Sequence, residues 1–294
     1  TGRGPRHRGN RVTKTRVLAA LIMAPLAIGG VLLLPTPWLV AIAAVLFLLA
    51  LWEWLRLADV EDTLARTILL ACNLALMVAL VWGSRSAHGG SFALFQLVIV
   101  IGVGWWLLAL LWLKHYHFAS DHDSHARAFK LLAGTLAVVP AWCALGVIHA
   151  SEPNGHYWLL LALMLVWAAD TGAYFTGRNF GGKWFGGRKL APRISPNKTI
   201  EGLLGGIALA MVVAMVGALL IGVDHAHLPA VAGVAAVTVA FSVVGDLYES
   251  LLKRHVDIKD SGHLIPGHGG VLDRVDSVLA ALPVFALGKV WFGF

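Results

Sequence analysis

The chain has 294 residues, of which 58% are hydrophobic and only 13% charged. A water-soluble globular domain carries roughly twice that share of charge, so an ordinary soluble enzyme is excluded, and continuous apolar runs of about 20 residues exclude the alternating pattern of a membrane β-barrel. The net charge of +7 and pI of about 9.7 open a nucleic-acid reading, which the placement of the basic residues closes below.

Residues 1–16 carry Arg3, Arg6, Arg8, Arg11, Lys14 and Arg16 among Gly and Pro, and read as a disordered basic arm. The apolar run after it lacks a small-residue cleavage site and reads as a span rather than a signal peptide. Nine spans are predicted, at 17–34, 38–54, 64–83, 92–113, 130–149, 157–177, 201–222, 229–250 and 274–292. The predicted fold is therefore an all-α, polytopic membrane bundle with its N-terminus in the cytoplasm. That orientation leaves only Arg85 and Lys289, of the 23 Lys and Arg, outside the cytoplasmic segments. The bias is the one expected of an inner-membrane protein, and it accounts for the basic pI without nucleic acid. Cys72 and Cys143 both lie in apolar runs, so neither a disulfide framework nor a zinc site is expected.

The chain divides into an N-terminal set of spans (17–149) and a C-terminal region (150–294). The first set carries few intramembrane ionisable groups, and Glu53 and His88, at span margins, read as snorkelling side chains. In the second, two long, basic, glycine-rich inner segments, 178–200 and 251–273, follow spans that end in acids. Chemistry is therefore expected at the cytoplasmic face of the C-terminal half.

The first segment runs from Asp170 to Gly202, with six glycines between Gly172 and Gly187. It does not match a Walker-type phosphate loop. Ser195-Pro196 reads as a helix start, Ser195 capping and Pro196 at the first helical position. Lys198, near Lys189 and Arg193, would then stand at a helix N-terminus suited to phosphate. The competing reading is a capped helix whose lysines hold anionic headgroups.

The second segment, Phe241 to Ser277, brings four carboxylates to two apolar margins: Asp246 and Glu249 before the loop, Asp273 and Asp276 after it. Each pair is spaced i, i+3 and shares a helix face. Charge at the end of a membrane helix is costly, and carboxylate oxygens suit a hard cation such as Mg²⁺. Ion pairs between Glu249 and Lys253 and between Asp273 and Arg274 are the alternative, although Val231–Gly245 offers Asp246 no cation. His255, His263 and His268 match no common zinc spacing. His268-Gly269-Gly270 reads either as a phosphate handle or as a solvated loop.

Together these residues resemble the phosphatidate cytidylyltransferase (CDP-diacylglycerol synthase) family. The matching pattern is Ser250, Lys253-Arg254, Lys259-Asp260, Pro266-Gly267-His268-Gly269-Gly270 and Asp273-Arg274-Val275-Asp276. Upstream it is Asp170, Ala173-Tyr174-Phe175, Gly177-Arg178, Ser195-Pro196, Lys198-Thr199 and Glu201-Gly202, with Asn197 where many members carry a second lysine.

The resemblance implies transfer of a cytidylyl group from CTP to phosphatidic acid with Mg²⁺, a second monovalent or divalent cation remaining open, at the cytoplasmic face of a bacterial inner membrane. It implies Asp246, Asp273 and Asp276 as metal ligands, with Lys198 and Arg274 beside them in catalysis. Substrate binding is expected of Asp170, Tyr174, Arg178, Ser195, Asn197, Lys198, Thr199, Glu201, Glu249, Ser250, Lys253, Arg254, His268, Gly269 and Gly270. Family habit adds a homodimer. A CTP-dependent lipid-alcohol kinase and an ion-coupled transporter are the alternative functions.

Overall fold

The computed structural model describes residues 23–85, 91–121, 123–262, 264 and 269–294. The predicted basic arm, the start of the first span, His88, His263 and His268 lie outside the described residues. Nine apolar helices occur among those described: α1 (Met23–Leu33), α2 (Thr36–Leu57), α3 (Thr63–Gly83), α4 (Ala93–Lys114), α5 (Ser124–Ala150), α6 (Gly155–Phe180), α7 (Ile200–Ile221), α8 (Leu228–His255) and α9 (Leu272–Phe292). Helices of 21 or 22 residues such as α3 and α7 rise about 32 Å at about 1.5 Å per residue, enough for a hydrocarbon core of about 30 Å. Helices satisfy every backbone polar group internally, as the membrane demands.

The helix ends follow local chemistry. Asp62 accepts from the N–H groups of Leu64 and Ala65 to cap α3, and Asp123 accepts from Ala126 N to cap α5. Gly222, in the left-handed region at φ 95°, ends α7. Between α6 and α7 the chain also forms an antiparallel hairpin, β1 (Lys189–Ala191) and β2 (Ser195–Thr199), pairing Lys189 with Thr199 and Ala191 with Ser195.

That hairpin corrects the predicted helix start. Ser195 is a strand residue, not a cap; the helix begins at Ile200, and Thr199 caps it by accepting from Gly202 N at 3.0 Å. A proline restricts the residue before it to extended conformations, so Ser195-Pro196 fits an edge strand as readily as a helix entry. Pairing with β1 selects the strand.

Packing then gathers helix ends. α6 and α7 run antiparallel and touch through small residues: a Cβ on Gly172 would collide with the backbone of Gly205, and one on Gly206 with that of Ala169. Small residues allow this close approach where lipid offers no hydrophobic drive. α8 and α9 are likewise antiparallel, Gly245 lying on the backbone of Asp276 and Gly288 on Val234. α5 is buried along most of its length, whereas most of α3 is exposed, as a lipid-facing helix would be. Tyr248 of α8 is buried among aromatic rings, stacked on Trp54 (centroids 5.4 Å apart) and edge-on to Trp112 (4.8 Å). The C-terminal ends of α6 and α8 and the N-terminal ends of α7 and α9 thus meet at one end of the bundle.

Candidate functional site

A cavity of about 490 Å³ opens at that end, walled by α6, β2, α7, α8 and the start of α9. α6 contributes Asp170, Tyr174 and Arg178, four residues apart and therefore on one helix face. Arg178 Nη1 donates to Tyr174 Oη at 3.1 Å. β2 contributes Ser195, Asn197 and Lys198, with Thr199 at its end, and α8 contributes Asp246.

The centre is an ion pair between Lys198 and Asp246. The cation that Val231–Gly245 does not offer Asp246 is delivered from the hairpin, 48 residues away in sequence. Ser250 Oγ donates to the other Asp246 oxygen at 3.4 Å. Asp170 interacts electrostatically with Asp246, Lys198 and Arg274, and Asp276 with Asp246, Lys198 and Lys253. Three acids from three helices therefore share one cationic neighbourhood. One Asp276 oxygen, Oδ1, accepts from Ser277 N at 2.6 Å.

Asp273 sits in a neighbouring constellation. Its carboxylate accepts from Lys253 Nζ at 2.8 Å, Gly270 N at 2.8 Å and Ser261 N at 3.0 Å. It ties the loop before α9 to α8 and faces these donors rather than the cavity. Gly269, at φ 81°, makes the turn that brings the Gly270 N–H to it. Lys253 also pairs with the buried Glu249. The expected Glu249–Lys253 pair therefore forms, but Lys253 bridges it to Asp273 across the two helices.

Two further predicted binding residues support the loops. Glu201, fully buried, accepts from Gly182 N (3.0 Å), Trp184 N (3.2 Å) and Phe185 N (3.3 Å) through Oε1. It gathers the glycine-rich turn 181–187 onto the start of α7. Arg254 Nε donates to Ile194 O at 3.3 Å and pins the hairpin to α8.

Glu53 is the residue that sequence reasoning misplaced. Read as snorkelling, it is only 1% exposed and accepts from Ser261 Oγ at 2.9 Å and from Leu272 N at 2.8 Å. Nothing local in α2 signals this, because both partners lie more than 200 residues away in sequence.

Among the described residues, no three His, Cys, Asp or Glu side chains form a ready-made metal cage. The acids in and beside the cavity suit a hard ion bound partly by its substrate: Asp170 and Asp246 line it, Asp276 interacts electrostatically with Asp246, and all are oxygen donors. Mg²⁺ commonly takes one or two carboxylates, completing its shell with water and phosphate. Asp246, with its electrostatic neighbour Asp276, could hold such an ion, and Asp170 lines the same cavity as Asp246.

The chain matches the model of the cytidylyltransferase family over residues 14–291. Its relatives include the phosphatidate cytidylyltransferase of Pseudomonas aeruginosa, 40% identical over 93% of this chain and 95% of that protein. The phosphatidate cytidylyltransferase of Haemophilus influenzae is 36% identical over 93% of this chain and 97% of its own. That of Staphylococcus aureus is 33% identical over 92% and 95%.

Proposed function

The chain belongs to the cytidylyltransferase family, and from that premise we propose that it transfers the cytidylyl group of CTP to phosphatidic acid, giving CDP-diacylglycerol and pyrophosphate at the cytoplasmic face of the membrane. The observation that carries the reading is the Lys198–Asp246 pair, set beside Asp170 and Arg178 in a cavity at the helix ends, with Asp276 interacting electrostatically with Asp246. Both substrates are polyanions, and a site for them must supply cations beside acids that can hold a counter-ion.

A phosphate oxygen of phosphatidic acid attacks the α-phosphorus of CTP; the new P–O bond forms as the bond to the β-phosphate oxygen breaks, and pyrophosphate leaves. No covalent enzyme intermediate is needed. Arg178 and Lys198 bind phosphate oxygens and hold the two reactants in line, which removes much of the entropic barrier. Lys198 exchanges part of its contact with Asp246 for the incoming phosphates. Tyr174 orients Arg178, while Glu201 and Arg254 keep the glycine-rich turn and the hairpin in place around the nucleotide. Asp246 and Asp276 would hold a Mg²⁺ ion, which would supply Lewis-acid activation of the phosphates. Asp273 and Lys253 act one layer back, fixing α9 to α8. The lipid keeps its acyl chains in the bilayer and brings only its head to the cavity.

CTP labelled at either end separates this reaction from its nearest rival. With phosphatidic acid, label at the α-phosphate passes into the lipid fraction and label at the γ-phosphate into pyrophosphate. Recovery of the γ-label in lipid, with CDP released, would identify a lipid kinase instead.

A further inference from the structure

We propose that Glu53 is a positioning residue for cytidylyl transfer: its carboxylate sets the first turn of α9, and with it Asp276, against α8. The inference rests on the proposed function and adds a residue from the half of the chain that carries none of the motif.

An α-helix begins with N–H groups that have no partner inside the helix. Val271, at the N-cap of α9, offers no side-chain acceptor. The acceptor comes from α2 instead: Glu53 Oε2 takes the Leu272 N–H at 2.8 Å. A carboxylate there also faces the positive end of the helix dipole. The same oxygen takes the Ser261 hydroxyl at 2.9 Å, while the Ser261 N–H is held by Asp273 at 3.0 Å. Glu53 and Asp273 thus hold Ser261 from two sides and tie it to the start of α9.

The fit is tight. A Cβ on Gly262 would strike Glu53 Oε1, and one on Gly270 would strike Oε2. The end of α2 is itself anchored, because Trp54 Nε1 donates to Lys130 O at 2.8 Å and its ring stacks on Tyr248. Leu272 and Asp276 are one turn apart on α9, and the Asp276 carbonyl abuts Gly245, the neighbour of Asp246. A shift at Leu272 is carried along a rigid helix to the Asp246–Asp276 pair.

The test compares purified wild type with Glu53→Gln, Glu53→Leu, Gly262→Ala and the Glu53→Asp/Gly262→Ala double variant. Readouts are kcat, the KM for each substrate, and amide exchange over residues 269–280. Glu53→Gln keeps an acceptor and stays within about threefold of wild type in kcat. Glu53→Leu loses both hydrogen bonds and falls at least about tenfold in kcat with KM nearly constant, because Glu53 touches no substrate. Gly262→Ala falls similarly, and withdrawing the carboxylate by one methylene in the double variant recovers part of the loss. Wild-type kcat in Glu53→Leu, a change confined to KM, or a double variant no better than Gly262→Ala would each overturn the proposal. If Glu53→Leu does not insert, the Gly262 pair decides. If wild type makes no CDP-diacylglycerol, the functional reading fails by itself. Exchange over 269–280 then still reads the role of Glu53: faster in Glu53→Leu or in Gly262→Ala supports it, and unchanged in both overturns it.

Discussion

Lys198 and Asp246 neutralise each other from two different elements, and the acids around them divide into two kinds. Asp246 lines the cavity and Asp276 interacts electrostatically with it, whereas Asp273 accepts from Lys253 and from the N–H groups of Gly270 and Ser261, tying the start of α9 to α8. Neutralising each should separate the two. Asp246→Asn lowers kcat by about 10²–10³, the scale of losing one electrostatic element of a preorganised site, with an unchanged melting temperature in detergent. Asp273→Asn leaves Lys253 and a backbone N–H short of a charged acceptor and costs about 1–3 kcal/mol of stability, so its melting temperature falls along with its activity. Equal melting temperatures for the two variants would erase the distinction. Lys198→Ala raises the KM for at least one substrate, read by steady-state kinetics, and unchanged KM for both would remove Lys198 from phosphate binding.

At the scale of elements, the glycine-rich turn depends on a single side chain. Glu201→Ala frees the N–H groups of Gly182, Trp184 and Phe185 together, and should increase proteolytic cleavage within 181–187 while leaving the helices intact. Cleavage equal to wild type would show that the turn is held by other contacts. This is also the scale at which sequence and structure part company. The helices were legible because apolar runs of sufficient length have one solution in a bilayer, although α6 runs on past the predicted end at 177 to Phe180 and so puts Arg178 on the face of Asp170 and Tyr174. The hairpin was not legible: Ser195-Pro196 satisfies the local rules for a helix entry and for an edge strand, and pairing with Lys189–Ala191 decides between them. The cation beside Asp246 and the acceptor at the start of α9 were equally hidden. Lys198 and Glu53 reach their partners across 48 and 219 residues of chain, and no periodicity encodes such a contact.

At the scale of the molecule, the bundle brings four helix ends to one membrane face and leaves the acids there rather than spread through its depth. Basic residues crowd the loops of that same face, and the positive-inside bias is what supports the proposal that this face is the cytoplasmic one. The N-terminal half takes part as scaffold: α2 reaches the motif loop through Glu53, and α4 and α5 enclose Tyr248 and its aromatic neighbours. The most direct test of the whole account is lipid-linked cytidylyl formation by the purified protein with CTP, phosphatidic acid and Mg²⁺, repeated with a chelator and with Asp246→Asn. The account predicts CDP-diacylglycerol with stoichiometric pyrophosphate from wild type, and its loss in both controls. Undiminished product in the presence of chelator, or from the folded Asp246→Asn protein, would contradict it.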